Sequence, residues 1–286
     1  MRFRNSLAQY SAIRVLKAAA LRYSELPGAF ANTTMASTPT ATELPLNPGR
    51  KLIAPLWHTI VFVLFLAGYA YYGRTSAARI EGHHLSSKVS LYLFMILLEL
   101  ILVAYVWFLG VKPAGGSIGA VIGGKWNSIG DVLRDIGVAF LFWLVVIVVL
   151  VGLQSSIGKS PQTAKAVVML APGTLAEMIV WVILSVTAGI CEEFIFRGYL
   201  QKQFLAITSS DVAAVGVQAV LFGIAHSYQG VKSIVTITVY GALFGILAVH
   251  RKSLRPGMIQ HAAQDSFAGL AFGLLKRLGK LPVGLF

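Results

Sequence analysis

Thr174-Leu175-Ala176-Glu177 opens, and Cys191-Glu192-Glu193-Phe194-Ile195-Phe196-Arg197 closes, the stretch whose reading decides the fold. Thr-x-x-Glu is a capping box, so a helix starts at Thr174. No charged side chain interrupts the run between Glu177 and Glu192, and the apolar character continues to about Phe204. That exceeds the ~20 residues that cross a hydrocarbon core of ~30 Å. Inside such a helix each Asp, Lys or Arg near the centre costs about 2.5–3.5 kcal/mol. Two adjacent glutamates at its far end therefore call for a chemical reason.

The rest of the chain is of the same kind. Of 286 residues, 56% are hydrophobic and only 12% charged, with mean hydropathy +0.74; soluble domains carry about 25% charged residues. Further apolar runs cover residues 53–73, 89–111, 136–158, 211–226, 233–249 and 257–275. Pro172-Gly173 precedes the capping box, Ser209 or Ser210 is the expected N-cap of the fifth run, and Pro256 opens the last. The expected fold is all-α, a polytopic transmembrane helix bundle of seven spans, or eight if residues 164–171 form a short membrane element. The continuous runs exclude a β-barrel, whose strands alternate. Gly241-x-x-x-Gly245 and Gly269-x-x-x-Gly273 allow the last two helices to pack closely.

Residues 1–50 are polar and read as a disordered segment. Arg2, Arg4, Arg14, Lys17 and Arg22 suit an amphipathic surface helix or a transit-like leader, and Met35 is an alternative start. Net charge is +13. In this composition the cations anchor loops and meet anionic lipid, so the expected partner is the bilayer and not nucleic acid. Cys191 is the only cysteine, which excludes an intrachain disulfide. With the N-terminus inside, 15 of the 24 Lys and Arg fall in inside segments; without residues 1–34 the balance is 10 against 9.

Arg197 follows Glu193 by one helical turn, in the favourable acid-before-base order, so these two are expected to form an ion pair. Glu192 then points about 100° away and is free to act as a base. His226 closes the fifth run in Phe222-Gly223-Ile224-Ala225-His226, and His261 and Asp265 share one face of the seventh. Each has a plain structural reading: interfacial carboxylates, an anchoring histidine, a polar stripe. Together, acids and histidines from three helices point to a water-activating site. Glu99, mid-span among leucines and isoleucine, has no partner that the sequence identifies.

Glu-Glu-x-x-x-Arg, then Phe-x-x-x-His, then His-x-x-x-Asp, all on apolar helices over roughly residues 171–275, resembles the CPBP family. That family includes CAAX prenyl endopeptidases of the Rce1 type and bacterial intramembrane proteases linked to bacteriocin self-immunity. The apolar runs place N-terminal transmembrane helices over 51–165, which the resemblance does not cover, and the resemblance implies a catalytic core over 166–286. It implies Glu192 as the water-activating base, Glu193 and Arg197 as its supporting pair, and His226 as the histidine that orients water. His261 and Asp265 then stabilise the oxyanion. Eukaryotic members have Asn at the position of Asp265. An ionised Asp265 would repel an oxyanion, so it must be protonated, orient His261, or ligate a metal. Glu192, His226 and His261 are candidate zinc ligands, although His-Glu-x-x-His is absent. The implied partner is a peptide or protein substrate at the membrane. The expected place is a bacterial plasma membrane; the N-in topology, with Arg251, Lys252 and Arg255 in one short loop, puts the site toward the cytoplasm. The rival readings are a non-catalytic scaffold or immunity protein on the same fold, a proton-coupled transporter using Glu99 and Glu192, and a Cys191–His226 thiol protease.

Depth poses one problem. Glu192 lies about 27 Å from its helix start at ~1.5 Å per residue, and His226 lies at the far end of the following helix. The two come level only if residues 197–210 project from the membrane and the Ser227-Tyr228-Gln229-Gly230 break sits within the bilayer.

Overall fold

The computed structural model describes residues 51–80, 87–158 and 160–280, all within one compact unit, Pro45–Phe286. The expectations for residues 1–50 lie outside the described residues. The described elements are helical, with no strand among them. They run α1 (Leu56–Ile80), α2 (Val89–Tyr105, extended by a wide π-helical turn Val106–Val111), α3 (Ile118–Ile122) and α4 (Ile129–Ile157). Next come α5 (Pro161–Leu170), α6 (Leu175–Glu192, continued by a π-helical segment Glu193–Leu200) and α7 (Gln201–Thr208). The chain ends in α8 (Asp211–Ala225), α9 (Val231–Arg251) and α10 (Arg255–Arg277).

Five of these helices are long and apolar enough to cross a membrane: 56–76, 89–111, 129–157, 175–208 and 231–251. Their outer faces present large apolar side chains such as Ile129, Leu141 and Val148, which is how a bundle meets lipid. The molecule is an all-α integral membrane protein. α8 is apolar but has only 15 residues, about 22 Å long. α5 is a ten-residue helix, and α10 fills the place of the last expected span.

Local signals set the boundaries. The Thr174 side chain accepts from Glu177 N–H, and Glu177 returns to the Thr174 N–H, so the capping box is complete. Ser210 is the N-cap of α8, and Ser209 takes the left-handed turn at φ 56°. The carboxylate of Glu177 also accepts from the Lys88 N–H at 3.0 Å, tying the start of α2 to that of α6. The Lys88 ammonium donates to Ala171 O at 2.5 Å. Burial, together with the neighbouring Lys276 ammonium, lowers its pKa to about 8.

Residues 175–208 form one continuous helix of 34 residues, about 51 Å long. α8 folds back along it after Ser209-Ser210. Glu192 precedes that turn by about as many residues as His226 follows it, so the two arrive level. The depth problem is solved as the length arithmetic requires, with a 3₁₀ turn, Ser227–Gln229, at the site. Its polar groups are satisfied: Ser227 Oγ donates to Ala70 O at 3.0 Å, and Gln229 O accepts from Thr163 Oγ1 at 3.3 Å. Irregular backbone in a membrane protein requires such partners.

Glycines let α6 and α10 approach. A Cβ on Gly189 would stand 2.6 Å from the Ala262 nitrogen, whereas one on Gly137 in α4 would meet nothing within 4 Å. Overpacking costs about 1–3 kcal/mol, so Gly189→Val should lower the unfolding midpoint in detergent. Gly137→Ala should leave it unchanged or raise it, because alanine is the better helix former by about 1 kcal/mol. Equal effects from the two substitutions would contradict this packing.

Candidate active site

Four helices converge on a cavity of about 420 Å³ whose wall includes Glu99, Glu192, His226, His261 and Asp265. α6 delivers Glu192 and, one residue on, Glu193 at the start of the π-helical segment. The plain α-helix expected from the sequence is widened here, and every residue from Glu193 to Leu200 is buried. Wide π turns recur at functional sites.

Arg197 is fully buried, and its Nη1 donates to Glu193 Oε1 at 2.9 Å. Its Nη2 donates to Gly241 O at 3.1 Å on α9, and Gln218 Nε2 of α8 donates to the same carbonyl at 3.0 Å. The guanidinium lies 4.4 Å from the Phe222 ring centroid and 5.1 Å from that of Phe244. Charge, hydrogen bonds and aromatic faces together replace the water this cation has lost.

Glu193 Oε1 also faces His261 Nδ1 at 3.3 Å. On the other side of the ring, His261 Nε2 lies 3.7 Å from Glu192 Oε2 and 3.6 Å from Asp265 Oδ2. An imidazole faced by carboxylates at both nitrogens can donate from both when it carries two protons. Trp181 Nε1 donates to Asp265 O at 2.8 Å and fixes α10 at that turn. His226 Nδ1 lies 2.9 Å from Phe222 O, one turn back on α8. Because a carbonyl only accepts, Nδ1 carries the proton and Nε2 is left facing Glu192 Oε1 at 3.9 Å. Glu192 Oε2 is buried without a hydrogen-bond partner.

All six residues singled out in the sequence thus lie together, from three helices. Sequence reasoning missed Gln218, Tyr240, Trp181 and Tyr228. Gln218 had a signal, a lone amide inside an apolar helix; the others look like ordinary aromatic residues until the fold assembles them. Glu99 reaches the same cavity from α2. Cys191 is buried and is not among the lining residues.

Among the described residues no three His, Cys, Asp or Glu side chains form a group able to hold a metal ion. Glu192, His226 and His261 are brought near one another but not into a ligand set, and the zinc expectation is not supported by this geometry.

Residues 174–267 match the family model of Rce1-like proteins, type II CAAX prenyl endopeptidases. The matched segment holds every residue of the constellation except Glu99. Over it, the chain is similar to that family of membrane proteases. No curated protein and no solved structure matches the chain.

Breaking a buried ion pair by removing one partner costs about 3–5 kcal/mol, because the other charge is stranded. Glu193→Gln and Arg197→Met should each lower stability in detergent by that order. The double variant should lose less than the sum of the two. Additive losses in the double-mutant cycle would contradict the coupling.

Proposed function

We propose that this protein is an intramembrane endopeptidase that hydrolyses a peptide bond with water activated by Glu192. The observation that carries this reading is the convergence of Glu192, His226, His261 and Asp265 on one cavity of a membrane bundle. The acid with the unpartnered oxygen lies between the two histidines.

The separation of 3.9 Å between Glu192 Oε1 and His226 Nε2 is too long for a hydrogen bond and suits a shared water. Glu192 takes a proton from that water as its oxygen bonds the scissile carbonyl carbon. The carbonyl oxygen becomes an oxyanion, and the His261 N–H on the cavity side stabilises it. Collapse of the tetrahedral adduct re-forms the carbonyl and breaks the C–N bond. Glu192 returns its proton to the leaving amine, with His226 holding the transfer geometry. The sum is amide plus water giving acid plus amine. Asp265 acts through His261, since an ionised carboxylate would repel the oxyanion directly. No step runs through a metal.

The substrate is a peptide or protein segment presented at the membrane. We place the chain in a bacterial plasma membrane, as the resemblance to bacterial members implies, with the site toward the cytoplasm. One end of the bundle gathers residues 51–55, 112–128, 202–210 and 251–255. Gln203 bonds Ala54, Lys202 bonds Ala120 O and Val121 O, and the Leu254 N–H bonds Ile122 O. Lys51, Lys112, Lys125, Lys202, Arg251, Lys252 and Arg255 all belong to that end, which the positive-inside rule assigns to the cytoplasm.

Glu192→Gln keeps shape and removes the base. Peptide cleavage by the purified variant should fall by at least about 10²-fold, the scale of general-base catalysis, with the unfolding midpoint preserved. Retained activity would refute the role of Glu192. Cleavage should also survive a chelator, and its loss with recovery on adding zinc would show a metal requirement. For orientation, single cysteines at Ser209 and Lys252 in a Cys191→Ala background should react with an impermeant thiol reagent only after lysis. Both positions suit labelling; Gln201 does not, because it is buried. Labelling of intact cells would move the site to the other face.

A further inference from the structure

Glu99 is the one acid of the cavity wall that lies outside the matched segment 174–267. It comes from the middle of α2, with Met95, Leu98 and Leu102 beside it on the wall. Its Oε2 is buried and has no hydrogen-bond partner, and Glu192 Oε2 is in the same condition. The two carboxyl groups line one cavity. The other titratable groups around them are Tyr69 from α1, Cys191 beside Glu192 on α6, His226 at the end of α8, Tyr228 from the 3₁₀ turn, Tyr240 from α9, and His261 and Asp265 from α10, with the Arg197 guanidinium, paired to Glu193, behind the wall. His261 already serves Glu193 at one nitrogen and faces Glu192 and Asp265 through the other. Among the described residues no Lys or Arg lines the cavity.

Two carboxylates sharing a low-dielectric site without a dedicated cation cannot both ionise cheaply. One proton held between them leaves a single negative charge. It also sets an O–H donor against an acceptor that otherwise lacks one. We propose that Glu99 is a positioning residue for Glu192, its neutral carboxyl donating a hydrogen bond to the Glu192 carboxylate, directly or through the water to be activated. This rests on the reading of Glu192 as the base. The bond fixes the Glu192 carboxylate with Oε1 toward His226. It also gives a mid-span acid on α2, outside the protease motifs, a reason to be there.

The test uses the purified full chain in lipid nanodiscs. Infrared spectra at neutral pH should show the carbonyl band of a protonated carboxylic acid, and Glu99→Gln should remove it. This readout needs no substrate, so it stands even if the chain cleaves nothing and the protease reading falls. In peptide cleavage, Glu99→Leu should lower kcat by roughly 10- to 100-fold, the loss of one hydrogen bond to a charged group. The acid limb of its pH profile should move to higher pH, because the Glu192 carboxylate has lost a donor. Glu99→Gln keeps a neutral N–H donor, so it should restore most of the rate and return the limb to its wild-type position. Absence of the band would overturn the proposal. So would an acid limb that moves to lower pH in Glu99→Gln, which would mean that Glu99 is ionised and repels Glu192. Wild-type kinetics in Glu99→Leu would make Glu99 a spectator and overturn it too. Should Glu99→Leu fail to fold, the infrared band and the Glu99→Gln profile decide between the same results.

Discussion

A buried guanidinium organises this protein. Arg197 sits at the centre of the bundle with no exposure to speak of, in a helix that would otherwise be lipid-compatible. Such a charge is tolerated when an anion stands beside it and hydrogen bonds and aromatic faces replace lost water; here both terminal nitrogens are bonded, while Nε has no partner. Glu193 supplies the anion, Gly241 the carbonyl, and Phe222 and Phe244 the aromatic faces. These partners come from α6, α8 and α9, and the same Glu193 carboxylate reaches His261 on α10. One ion pair thus fixes the relative rotation of four helices. Glu192, the neighbour of Glu193, is aimed into the cavity as a consequence. The close approach of Gly257, whose Cβ would lie 3.1 Å from Glu193 Oε2, belongs to the same constraint.

The second constraint is length. A helix of 34 residues followed by one of 15 cannot form a simple pair of bilayer-spanning rods. The pair is level at the site and turns at Ser209-Ser210, about 24 Å away along the axis. The chain therefore breaks at Ser227–Gln229 beside the chemistry. Ser227, Thr163 and Ser233 tie that break to α1, α5 and α9. The result is a largely apolar cavity that holds a few acids and histidines and is reached by irregular backbone.

What the sequence made legible was whatever depends on neighbours along the chain. The Thr174–Glu177 capping box, the Ser210 cap, the one-turn spacing of Glu193 and Arg197, and the shared face of His261 and Asp265 are all local geometry. The helical membrane class followed from composition, and the alignment of Glu192 with His226 from counting residues; the span count did not, since the apolar runs predict seven or eight spans and five of the described helices are long and apolar enough to cross. The π-helical widening at Glu193–Leu200 left no mark, because its cause is long-range: Arg197 reaching Gly241, and Gly198 packed under Val121 and Leu254. The destination of Glu99 was equally hidden, since a mid-span acid names no partner until α2 is placed against α6. The burial of Gln201 was hidden for the same reason. Its amide donates to Gly245 O at 3.1 Å inside the bundle.

The central claim is that water attacks the scissile carbonyl without a covalent enzyme intermediate. The most direct measurement is a single-turnover cleavage in ¹⁸O-labelled water, acid-quenched before completion, with intact-mass spectrometry of protein and products. The account predicts an unmodified protein at every time point and one ¹⁸O in the new C-terminal carboxylate. A protein species heavier by the acyl fragment, on Cys191 or any other side chain, would contradict it.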